Sequence, residues 1–240
     1  MRLLAVISCL AALGISPSLA QEGEPPPVNF PTLVTQGADG KAFLPAGWKL
    51  ESESKGDLDK DGADDLTLVL RMIDPANVIK SFEGSDAMFD TNPRMLAVAL
   101  AGKDGYRLAF ENHTLIPRNV NASQDDPLTE SSGVTVENGT LKVALYLFMS
   151  AGGWDMGTTT FRFRIEKDKL RLIGYDSSNV NRGSGVIEEV SINLLTGKVI
   201  LTTGSISEDE GKTTVKRLKK NPVITIDDLG EWGEGFSPSY

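Results

Sequence analysis

The chain has 240 residues, with 33 acidic against 24 basic side chains, a formal net charge of −9, and a single cysteine. That acidity gives it no electrostatic reason to bind nucleic acid or an anionic lipid surface. One cysteine excludes an internal disulfide framework, so stability has to come from an apolar core, with or without a metal.

Arg2, the apolar run 3–13 and the small residues of Ser18-Leu19-Ala20 read as a secretory signal peptide, residues 1–20, cleaved before Gln21. The run is shorter than the roughly 20 apolar residues of a membrane-spanning helix, and no later stretch is longer, so no membrane insertion is expected. Cys9 follows Val6-Ile7-Ser8, a loose lipoprotein box. Cleavage there would leave about six apolar residues, fewer than the roughly 7–15 of a signal core, and a lipid anchor is not expected. Loss of Arg2 with the leader takes the charge from −9 to −10. An exported chain without disulfides fits a bacterial compartment better than an animal secretory route, and the expected location is periplasmic or secreted.

Residues 21–31 are rich in proline and glutamate and predict an extended, mobile leader. Residues 32–229 follow as one domain, and 230–240, with Gly, Pro and Ser around Trp232, Phe236 and Tyr240, predict a loosely held C-terminal tail. Within the domain, 66–72 and 95–101 are apolar runs bounded by turn residues, the pattern of strands buried on both faces. Helical periodicity is weak everywhere, and its best candidate, 78–88, is spoiled by Gly84 and its polar content. Leu141, Val143, Leu145 and Leu147 share one face of a strand whose other face is also largely apolar, which places it inside the sheet. Phe161 to Glu166 alternates apolar and charged residues, a strand with one wet face. Asp104-Gly105, Asn138-Gly139 and Thr196-Gly197 separate consecutive strand signals and predict hairpins, because such residues tolerate φ > 0. The fold class expected is therefore mainly β: a single antiparallel domain, a sandwich or a strongly curved sheet, with one calcium-binding loop.

That loop spans 57–65. Asp57, Asp59, Asp61 and Asp65 occupy positions 1, 3, 5 and 9, and Gly62 stands at position 6, where a chain wrapping around an ion turns most sharply. A hard cation taking 6–8 oxygens at about 2.3–2.6 Å suits the set, with the Ala63 carbonyl and water completing it; magnesium demands a stricter octahedron. Asp64 is expected to point outward. Position 12 is Leu68, where an EF-hand needs a bidentate Glu, and 66–70 favours strand over helix.

Residues 56–70, Asp-x-Asp-x-Asp-Gly-x-x-Asp-Leu leading into an apolar strand, resemble the calcium loops of FG-GAP and VCBS repeats, the integrin-like propeller blades. The loop occurs once and no internal repeat accompanies it, so a propeller is not expected. The likeness is to exported bacterial proteins carrying one such loop; it implies calcium and a β fold and lends no activity.

The catalytic inventory is thin. His113 is the sole histidine, no Gly-x-Ser-x-Gly elbow is present, and neither is a phosphate-binding glycine loop. Asp125-Asp126, Asp155, Glu188-Glu189 and the run 208–210 supply carboxylates for a glycosidase-like mechanism, but nothing in the sequence selects a pair. In 150–157, three glycines surround Trp154 between two strands. That loop offers a surface to a protein or glycan partner, the alternative being that Trp154 folds back onto the core. The basic cluster at 216–220 reads as a solvated strand end. These features point to an exported calcium-binding β protein acting as a non-catalytic binding or interaction module. The alternatives are a carboxylate-dependent hydrolase and a periplasmic inhibitor of a cell-wall or host enzyme.

Overall fold

A computed structural model describes residues 25–81, 86–129, 132–208 and 210–240. Residues 1–20, expected to be a signal peptide, and residues 21–24 of the expected leader lie outside them. Three strands alternate with short turns at the start: β1 (Gln36–Gly37), β2 (Trp48–Gly56) and β3 (Asp65–Met72). A small hairpin, β4 (Val78–Lys80) with β5 (Met88–Asp90), precedes β6 (Arg94–Gly102) and β7 (Gly105–Asn112). Then come β8 (Gly133–Glu137), β9 (Thr140–Phe148), β10 (Asp155–Glu166), β11 (Lys169–Asn181), β12 (Val186–Asn193), β13 (Lys198–Ser205) and β14 (Lys212–Arg217). Among the described residues, four short 3-10 turns interrupt them. The five-stranded sheet has the order β1-β7-β6-β3-β2; the seven-stranded sheet runs β14 to β8 in sequence order, and every pairing is antiparallel. The fold is all-β, as the alternation and hairpin signals require, and no helix among the described residues is long and apolar enough to cross a membrane.

The two sheets close on a shared core. Val69, Leu96 and Val98 from the smaller sheet meet Leu141, Val143, Leu145, Phe161 and Phe163 from the larger. The opposite face of the smaller sheet, Leu66, Leu68, Leu70, Met95, Ala97 and Ala99, is covered by Leu33 and Phe43 from the N-terminal segment and by Trp48 at the start of β2. Covering on both sides explains why these two strands read as unbroken apolar runs. Strand β9 lies between β8 and β10, inside the sheet as expected.

The hairpin turns obey the sequence where glycine marks them, with Asn138 and Gly139 at φ 52° and 69°. The β10–β11 turn does not announce itself: Lys167 and Asp168 take φ 52° and 58° without a glycine. The segment 78–88 is no helix. Its described ends pair as β4 and β5, with β-branched Val78 and Ile79 on the first strand and Thr91 donating from N–H and hydroxyl to the Asn77 carbonyl.

The segments at both ends of the described residues are fastened. In the leader, Arg118 donates to the Pro26 carbonyl at 2.8 Å, and Phe30 stacks on His113 with ring centres 4.4 Å apart. At the other end, Phe236 packs on Tyr175 at 4.9 Å and the Lys219 amide donates to the Ser239 carbonyl. Gly233 lets the tail press against Phe161, where a Cβ would stand 2.3 Å from the ring. The tail is thus part of the core wall, because its three aromatic side chains gain more by burial than the backbone loses by ordering.

A charged cluster ties the smaller sheet to the connection that crosses to the larger. Glu51 is the extra residue of a bulge between Leu50 and Ser52, which turns its carboxylate onto Arg94 (2.5 and 3.0 Å) and Arg71 (3.1 Å). Arg94, whose side chain is only 3% exposed, also donates to Asp126 at 2.7 Å, and Arg71 reaches Asp90. Burial alone would raise the Glu51 carboxyl, but the hydrogen bond and charge of Arg94, joined by Arg71, hold it below its ordinary value of 4.5. Asp90 is lowered too, its burial outweighed by hydrogen bonds from Asn92 and the charge of Arg71.

The variant Lys167→Asn/Asp168→Gly should gain about 1 kcal/mol by relieving two left-handed residues, raising the melting point by roughly 2–4 °C in calorimetry. Depressed carboxyls stabilise the fold above their unfolded values, and that share is lost as pH falls through the lower folded values. Acid titration followed by circular dichroism should therefore show stability declining below about pH 4.5. Arg94→Met, which leaves Glu51 with Arg71 as its remaining cation, should cost about 3 kcal/mol at neutral pH and flatten that decline.

Candidate metal centre

The loop between β2 and β3 is built from inside and outside at once. Leu58 is fully buried in the shared core, while Asp57 is half-buried and Asp59 and Asp61 are exposed on either side of it. Backbone amides then curl the chain onto the carboxylates. Asp57 Oδ1 accepts from the N–H of Lys60 (2.6 Å) and Asp61 (3.1 Å), and its Oδ2 accepts from Gly62 (3.0 Å). Asp59 Oδ1 accepts from Asp61 and Asp61 Oδ1 from Ala63. Lys60 and Gly62 take φ 69° and 92°, so the glycine sits where the sequence requires a residue without a Cβ.

The result brings one carboxylate oxygen from each of Asp57, Asp59 and Asp61 within 4.8 Å of the others. Oxygens bound to a common ion at about 2.4 Å lie no more than about 4.8 Å apart, so this triad could hold a metal ion. No lysine or arginine among the described residues stands within ion-pair distance of the three. Asp59 and Asp61 each keep a second oxygen with no hydrogen bond among the described residues. Three anionic groups gathered without a cation repel one another, and a bound cation is the direct remedy.

Asp65 stands apart from the triad. It is fully buried at the start of β3, its Oδ2 accepting from the Leu58 amide and its Oδ1 from the Ala101 amide, both at 2.8 Å. The carboxylate brackets the loop to the β6–β7 hairpin. Burial pushes its pKa up; the two amides pull it back, and the nearby charge of Asp59 adds to the rise. Ala63 follows Gly62 half-buried, with its N–H on Asp61, and Asp64 is exposed. The spacing alone made Asp65 a fourth ligand. Its place one residue before a run buried on both faces was the available sign that the carboxylate would take backbone amides as partners.

The loop also touches the larger sheet. A Cβ at Gly139, in the β8–β9 turn, would stand 3.2 Å from the Asp57 carbonyl, and the Val136 amide donates to Ser54 Oγ at 3.0 Å. The triad therefore sits over the junction of the two sheets.

The other carboxylates singled out in the sequence have separate fates. Asp126 is engaged by Arg94 and Arg71, and Asp155 by Asn179 and Asn181. Asp125 and Glu210 are exposed, and residue 209 lies outside the described residues. His113 is held against Phe30. Trp154 does not fold back onto the core: it is 67% exposed. Compared with known proteins, the chain matches no family model, no curated protein and no solved structure.

Removing Asp65 by Asp65→Ala orphans two buried amides and should cost about 2–5 kcal/mol in urea unfolding, with or without EDTA. Asp59→Ala should cost little in EDTA, since its exposed carboxylate repels its neighbours there. A loss at Asp65 that vanished on chelation would show it to be a ligand only.

Proposed function

We propose that the protein is an exported β module that binds calcium in the 57–65 loop and acts by binding rather than by catalysis, the ion having a structural role. The observation that carries this reading is the triad itself, three converging carboxylates with no basic side chain beside them, on a backbone curled as an ion-wrapping loop is. Calcium suits the site better than magnesium because the loop supplies flexible carboxylates and open solvent positions rather than a fixed octahedron. Asp57, Asp59 and Asp61 supply side-chain oxygens, and Ala63 is the carbonyl donor. Asp65 supports the loop from behind, where a nearby divalent charge offsets the cost of its burial.

Position explains what the ion would do. The loop is pinned to the core by Leu58, to the β6–β7 hairpin by Asp65, and lies against the β8–β9 turn. Neutralising its outer face removes the repulsion opposing that closure. Outside the cell calcium is plentiful enough for the roughly 0.1–1 mM affinities of extracellular modules, so ordering of the loop would follow export. Export itself rests on the signal-like residues 1–20.

Thermal unfolding of residues 21–240 across a calcium titration, with EDTA as the reference, tests the reading. Calcium at one hundred times its dissociation constant should add about 2.7 kcal/mol, a rise of roughly 5–10 °C. Asp59→Ala and Asp61→Ala should abolish the rise, and magnesium should give a smaller one. An unchanged midpoint in the wild type would refute the metal assignment. Mass spectrometry of the exported protein should find Gln21 at its N-terminus.

A further inference from the structure

The seven-stranded sheet extends beyond the core it covers. One row across its inner face, Val143, Phe161, Tyr175, Ile192 and Val199, is apolar and packed. Two rows further along the strands, the same face reads Leu147, Gly157, Asn179, Glu188 and Thr203. An apolar face that turns polar while keeping its direction marks the point where covering ends. There a shallow groove of about 380 Å³ opens, with Asp155, Thr159, Ser177, Asn179 and Glu188 among its lining residues. No lysine or arginine lines it.

The groups at its end are held in place. Asp155 accepts from the side-chain amides of Asn181 (2.9 Å) and Asn179 (3.3 Å), so its carboxylate is aimed by two residues of β11. Beside it, the Trp154 carbonyl accepts from the Arg182 amide at 2.8 Å. The indole lies against Gly183, where a Cβ would meet Trp154 Cδ2 at 3.4 Å and Asn181 Oδ1 at 3.5 Å. Indole, Asn181, Asp155 and Asn179 therefore form one continuous ledge. The Arg182 guanidinium buttresses it from below, donating to the carbonyls of Met149 and Gly153 and lying over the Phe148 ring at 4.5 Å.

We propose that this ledge, running from Trp154 into the groove at Asp155, Asn179 and Glu188, is a binding site for an uncharged oligosaccharide. An exposed indole held from behind presents a flat apolar face, the complement of the CH face of a pyranose ring. Short hydroxyl, amide and carboxylate groups beside it both donate and accept, as a ring of sugar hydroxyls requires. Asp155 and Glu188 repel an anionic ligand, and the Arg182 charge beside the Trp154 and Gly153 carbonyls opposes a cationic one. The amide pair and the glycine seat fix the geometry in advance, which lowers the ordering cost of binding. The inference supplies a ligand class for the binding module proposed above without depending on the metal. The loop lies at the start of β9 and the ledge at its end, roughly 25 Å apart at about 3.3 Å per residue.

The test is an array of neutral and anionic glycans, with hexalysine as a basic peptide control, probed in 1 mM calcium. The best glycan is then titrated by calorimetry. A neutral oligosaccharide should be retained, and Trp154→Ala should weaken it at least ten-fold with an unchanged melting point, because the side chain is mostly solvent-exposed. Asn179→Ala and Glu188→Gln should weaken it as well, and Asp59→Ala, which reports on the metal alone, should leave it within two-fold. Retention of no neutral glycan, retention of hexalysine or anionic glycans only, or binding indifferent to Trp154→Ala would each overturn the proposal.

Discussion

Strands β3 and β6 carry apolar side chains on both faces, and water has to be kept from each face at once. The larger sheet covers one side and the segment holding Leu33, Phe43 and Trp48 covers the other. Everything near that pair inherits the demand. A charge on either strand must arrive with its partners, and Arg94 does so with Glu51 and Asp126, as Asp65 does with two backbone amides. Removing one partner from such a set leaves a buried group that nothing else can satisfy.

The candidate metal centre is a consequence of the same packing. Leu58 must reach the core and Asp65 must enter β3, and the residues between them have too little chain to wander. Carboxylates at alternate positions of so short a connection are forced to one side. Gly62 and the left-handed Lys60 let the turn close, and the amides of 60–63 point into the concavity. The fold thus holds three negative charges together and leaves their neutralisation to solvent or to an ion. Because the loop rests on the β8–β9 turn, its neutralisation bears on how firmly the two sheets meet.

Strand β9 separates two environments. One end abuts the acidic loop; the other delivers Phe148 beneath Arg182 and the ledge of Trp154. Between them Leu141, Val143, Ala144 and Leu145 are buried. That arrangement suits a molecule in which an ion secures the scaffold and a different surface meets a ligand. It also accounts for the mixed face of the seven-stranded sheet: apolar where the smaller sheet lies against it, polar where it outruns that sheet.

The amino-acid sequence by itself determined the strand content, the hairpins at Asn138-Gly139 and Thr196-Gly197, and the local curl of 57–63. Those features are set by period-2 patterning, by residues that tolerate φ > 0, and by groups only a few positions apart. Tertiary structure decided what depends on distant partners. It gave Asp65, a ligand by spacing, the amides of Leu58 and Ala101 as partners. It docked the leader through Arg118 and Phe30, and the tail through Phe236 and Gly233, where composition alone predicted loose ends. It paired the two ends of 78–88 and bent the β10–β11 turn at Lys167 and Asp168 without a glycine, because long strands already in register dictate the turn between them. Burial is a property of the whole molecule, and a residue's neighbours in sequence do not reveal which surfaces will cover it.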